Sequence, residues 1–174
     1  MEILKLATDW AKDEVFSSRF FILFGILFLL AAIGFWQLGK TDVAKAYQFP
    51  TLIAGLLILA VGLGIYFTNK SRVTSFETAY KADPAAFVQA EIERSEKTIA
   101  EFRTIVFKVV PLIIIAAALL LIFFSSPLWR AISVTTIAMM AVILLVDSNA
   151  NARIKTYHDQ LVQYVEGAQA LDPK

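Results

Sequence analysis

The chain is 174 residues long, 58% hydrophobic and only 18% charged, against roughly 45–50% apolar and 25% charged in an average soluble domain. That much apolar sequence exceeds what a soluble core of this size can bury, and a net charge of +1 gives no electrostatic pull toward nucleic acid. The absence of cysteine excludes disulfides, thiolate nucleophiles, Cys-ligated zinc and iron–sulfur clusters.

In chain order the sequence predicts an all-α polytopic membrane protein, a single membrane domain over 1–174. It has four transmembrane helices in two hairpins, extended by cytoplasmic amphipathic, coiled-coil-like helices. Over 2–16 an apolar stripe of Ile3, Leu6, Ala7 and Trp10 suits a helix lying in the plane of the membrane interface. The first span is 20–38. Mixed-charge residues including Asp9, Asp13 and Glu14 precede it, and no small-x-small site ends it, so it reads as a retained span and not as a signal sequence. An outer loop over 39–48 leads to the second span, 49–67, with Trp36 and Tyr47 at interfacial positions. Within this span Ala60 and Gly64, or Gly55 and Gly62 one heptad apart, offer small faces for close helix packing.

A cytoplasmic helix over 70–82, with the stripe Val73, Phe76 and Tyr80, runs to Asp83-Pro84, a capping residue followed by a helix-starting proline. From there a helix over 84–103 carries Ala85, Val88, Ile92, Ser95, Ile99, Phe102 and Val106. Their 3-4 spacing is that of a coiled-coil seam. The intervening Glu91, Glu93, Arg94, Glu96, Lys97, Glu101 and Arg103 read as its solvated flank. The third span, 104–124, and the fourth, 128–146, are joined by Ser125-Ser126-Pro127, so short a link that the two must be antiparallel neighbours. A last cytoplasmic helix over 148–170 carries Ile154, Tyr157, Leu161, Tyr164 and Ala168 on one stripe. The two halves share this outline, and Arg72-Val73-Thr74-Ser75-Phe76 resembles Arg153-Ile154-Lys155-Thr156-Tyr157, which suggests a parallel repeat.

Orientation follows from the basic residues. Of the 16 Lys and Arg, only Lys40, Lys45 and Arg130 fall on the outer side, leaving thirteen on the side of both termini. The positive-inside rule makes that side cytoplasmic, in a bacterial inner membrane.

Little in the sequence carries chemistry. His158 is the sole histidine and reads as an exposed helix residue; a zinc or di-iron site would need partners the chain lacks. The spans hold no charged group except Lys108, one turn inside the third, and Arg130 at the outer end of the fourth, so an ion-coupled carrier is not indicated. Asp147 ends the fourth span at a similar depth, which predicts a structural ion pair of Lys108 with Asp147. No catalytic, cofactor-binding or metal residue is assigned and no cofactor is expected. The function predicted is that of a non-enzymatic scaffold or assembly partner, with a small oligomeric channel or permeation module as the alternative. Its partners would be the lipid bilayer and a protein, or a second copy of the chain, and no nucleic acid. The interaction seam would be Val88, Ile92, Ile99 and Phe102 together with Ile154, Tyr157, Leu161 and Tyr164.

Overall fold

The computed structural model describes residues 2–171, with side-chain surroundings described as far as Gly167; Ala168 and Lys174, used above for periodicity and charge, lie outside what is described. The described chain is helical throughout: α1 (Glu2–Leu38), α2 (Asp42–Ala82), α3 (Pro84–Glu101), a π-helical segment (Phe102–Val109), α4 (Val110–Phe123) and α5 (Pro127–Leu171). Four helices, counting Pro84–Phe123 as one, are long and apolar enough to cross a membrane, with mean hydropathy of 2.0 to 2.9 over their most apolar windows. There, side chains such as Leu30, Ile53, Ile115 and Ile122 are exposed.

The helices are longer than the expected segments because nothing breaks them. No Gly or Pro separates 2–16 from 20–38, or 49–67 from 70–82, so a helix once nucleated continues. The outer loop shrinks accordingly. Thr41 caps α2, its side chain accepting from the Ala44 N–H, and residues 42–48 are already helix. At the other end Asp83 accepts from the Ala86 N–H and Pro84 occupies the first turn of α3. The π segment has its cause in Pro111, which lacks an N–H and whose ring would collide with the carbonyl four residues back. The helix widens by one residue, so that the Val110 N–H reaches the Ile105 carbonyl five residues away.

The chain crosses itself most closely between α1 and α2. A Cβ on Gly25 would lie 2.8 Å from the Leu59 backbone nitrogen, and one on Gly62 would lie 2.9 Å from that of Ile22. Gly55 abuts Leu29 in the same way, so the pair one heptad apart is the packing face, whereas Gly64 meets nothing and Ala60 is exposed. The other helices gather on α5, which touches α1, α2, α3, the π segment and α4. The π segment and α4 pack against α5 and not along α2.

The principal core lies at the end where the first turns of α1 meet the later turns of α5. It joins Ile3, Ala7 and Trp10 of α1, Phe76 of α2, Phe87 and Val88 of α3, and Ile154, Tyr157 and Leu161 of α5. The stripe expected to lie on a membrane surface is therefore inside a four-helix core: Ala7 is fully buried and Ile3 is 3% exposed. An apolar stripe is as well satisfied by three neighbouring helices as by lipid, and α1 runs straight into the bundle because its helix does not break.

Candidate functional site

The seam of α3 is rotated from its expected position. Val88 is buried, while Ile92, Ile99 and Phe102 are partly buried against the core, and Ala85 is exposed. Phe87 and Glu91, outside the expected stripe, point inward together with Ser95, which belongs to it. Their spacing of four follows the 3.6-residue turn of a helix packed against several neighbours, not the 3.5-residue repeat of a two-stranded seam. On α5, Ile154, Tyr157 and Leu161 are buried as a stripe, but Tyr164 is exposed. The seam is thus covered within the chain.

Glu91 is the main departure from the sequence reading. Its side chain is 8% exposed and is held by three charged or polar contacts. Arg94, one turn on, grips it with Nε and a terminal nitrogen, and the Tyr157 hydroxyl donates to Oε2 at 2.8 Å. The guanidinium of Arg94 lies 4.3 Å from the centre of the Trp10 ring, which stacks on Tyr157 at 5.1 Å. A buried carboxylate, its counter-cation, an aromatic face over that cation and a hydroxyl donor form one closed unit across α1, α3 and α5. Burial would lower the pKa of Arg94, but the bonds and charge of Glu91 outweigh it and raise it. Burial and the Glu91 charge push the Tyr157 hydroxyl upward, so both groups keep their protons at any physiological pH.

A second pair ties α1 to α5. Arg153 donates two hydrogen bonds to Glu14 Oε1, at 2.9 and 3.1 Å. Burial nevertheless keeps the Glu14 carboxyl above its ordinary range, against the pull of Arg153. His158 is not the free surface residue expected: its Nδ1 lies 2.9 Å from the hydroxyl of Ser95, which is fully buried.

Between these units and the apolar half of the molecule is a cavity of about 150 Å³. Its charged lining is Glu14, Arg72, Arg94 and Asp147. Arg72 donates to Asn69 Oδ1 at 2.8 Å and, among the described residues, has no carboxylate at ion-pair distance. Burial lowers its pKa, and Arg94 adds to that. Asp147 has neither a hydrogen bond nor an ion pair among the described residues. Burial, with the nearby charge of Glu14, lifts its carboxyl to about 6. The expected pairing of Lys108 with Asp147 does not form. Lys108 is exposed on the π segment, while Asp147 lines the cavity, because α5 runs on past Asp147 into the core. The indole nitrogen of Trp10, which also lines this cavity, is buried without a partner.

Among the described residues there is no group of three His, Cys, Asp or Glu placed to hold a metal ion. The chain matches no family model, no curated protein and no solved structure.

Proposed function

We propose that this chain is an integral protein of a bacterial inner membrane, its four spans paired as two hairpins and both termini cytoplasmic. It acts without catalysis, as a scaffold or assembly partner. The observation that supports this reading is the separation of the molecule into two parts. Apart from Lys108 and Arg130, each near the end of a span, its spans carry no charged groups, whereas the ionic units Glu91–Arg94–Tyr157 and Glu14–Arg153 are built at one end.

Since the apolar seam is used within the chain, a partner would meet the outer flank of the bundle. That flank comprises Gln89, Glu93, Glu96 and Lys97 of α3 and the exposed Tyr164 of α5. Charged rims of this kind set orientation and association rate more than affinity.

A photo-crosslinking amino acid placed at Glu96 or Tyr164 in native membranes is expected to give one discrete protein adduct. The same group at Ile115 is expected to give only lipid adducts. No protein adduct from either cytoplasmic position, together with ion flux through vesicles holding the purified protein, would replace the scaffold with the channel.

A further inference from the structure

The cavity below Trp10 holds two opposite charges that the protein leaves unspent. Glu14 is bonded to Arg153 and Arg94 to Glu91, whereas Arg72 bonds only an amide and Asp147 bonds nothing. The two are not paired with one another among the described residues, so the cavity is lined by a guanidinium and a carboxylate that do not meet. Both are partly buried, and a desolvated charge without a partner is costly, so two of opposite sign lining one cavity call for a group that bridges them. The bridging group must carry an anion for Arg72 and a cation with N–H donors for Asp147.

The walls say how that group is attached. Arg72, Glu14 and Asp147 line it with charge, while Phe21, Ile65, Phe102 and Val146 line it with apolar side chains. Phe21 and Val146 lie at the inner ends of the first and fourth expected spans, which places the cavity at headgroup depth. Ile65 belongs to α2 and Phe102 to the π segment, two walls that pack on α5 and not on each other; resting on the membrane reading proposed above, the gap between them would open the cavity to lipid. An apolar cavity of 150 Å³ is known to hold a benzene ring, so there is room for a small ionic group and not for a large metabolite.

The geometry points to a binding site for a zwitterionic phosphoethanolamine group, its phosphate on Arg72 and its primary ammonium on Asp147. The bilayer supplies this group as the headgroup of phosphatidylethanolamine; the same chemistry exists free in solution as phosphoethanolamine.

The protein is reconstituted into vesicles of phosphatidylcholine containing either phosphatidylethanolamine or phosphatidylglycerol, and retained lipid is counted by native mass spectrometry. Phosphatidylethanolamine is expected to be retained over both others by about tenfold or more. Choline has no N–H to give Asp147, and phosphatidylglycerol has no cation. Asp147→Asn should erase the preference over phosphatidylglycerol, and Arg72→Gln should weaken retention of all three. Calorimetry with free phosphoethanolamine separates the sources. Binding that depends on Asp147 and Arg72, with equal retention of the lipids, assigns the site to the soluble zwitterion. Equal retention of the lipids with no phosphoethanolamine binding, or an undiminished preference in Asp147→Asn, overturns the assignment and leaves a water-filled cavity. Should Arg72→Gln fail to fold, Asp147→Asn decides the matter alone.

Discussion

Asp147 is the residue whose charge the fold opposes most plainly. With its carboxyl lifted from 3.8 to about 6, the folded protein binds a proton there more tightly than the unfolded chain does. Stability from this group is therefore fully present below about pH 4 and is lost as pH rises through 6. At neutral pH the ionised carboxylate faces Glu14 as well as Arg72 and Arg94 across the cavity, and it costs about 1–3 kcal/mol. Asp147→Asn is expected to raise the melting temperature at pH 7.5 and to flatten the decline in stability between pH 4 and 7. Glu14 shifts in the same direction, so the slope is reduced and not abolished. Thermal unfolding followed across that pH range checks this, and a variant less stable than the parent at pH 7.5 would contradict it. Glu91, in contrast to the unpartnered Asp147, is bonded to Arg94 and Tyr157. Its charge is satisfied on every side, and its burial was invisible in the sequence because a Glu between Ala90 and Ile92 looks like any flank residue. The sign that could have revealed it is indirect: Arg94 stands one turn beyond it, and the stripes of α1 and α5 each carry an aromatic with a polar atom, Trp10 and Tyr157.

At the scale of the element, the α1–α2 contact rests on glycine at three close approaches, Gly25, Gly55 and Gly62. Alanine is favoured over glycine in a helix interior by about 1 kcal/mol, so on propensity alone Gly25→Ala and Gly64→Ala should both stabilise. The structure separates them. At Gly25 the new methyl would sit 2.8 Å from backbone of α2, which cannot move aside as a side-chain tip can, whereas at Gly64 it meets nothing. Gly25→Ala is expected to destabilise by about 1–3 kcal/mol and Gly64→Ala to be neutral or stabilising, read from unfolding in detergent. Equal effects would mean that the helices are not so closely apposed. The apolar stretches of these elements were legible because each has enough consecutive hydrophobic residues to be recognised without knowing its neighbours. Their ends were less so. Length depended on the absence of breakers between segments of contrasting polarity, and the widened turn over Phe102–Val109 depended on one proline. Between Gly55/Gly62 and Ala60/Gly64, spacing alone could not choose, since the choice depends on which face α1 approaches.

For the whole molecule, the polar end is an extension of the apolar helices and not a separate unit, since α1, α2, α3 and α5 each contribute to its core. Whatever orientation the apolar part takes in a membrane fixes the side on which that core lies. The thirteen basic residues on the side of the termini favour the cytoplasm. The chain has no cysteine, so single introduced ones report without background. Useful positions must be exposed, which rules out Ser95, whose side chain is sealed against α5, and favours Ser75 and Glu96 at the polar end and Thr41 at the opposite turn. In intact cells an impermeant maleimide is expected to label Thr41→Cys. Ser75→Cys and Glu96→Cys should react only after the membrane is opened. Labelling of Glu96→Cys from outside, with Thr41→Cys protected, would invert the orientation. Labelling of both from outside would show that the helices do not carry the chain across the bilayer, and with that the headgroup depth of the cavity would fall as well.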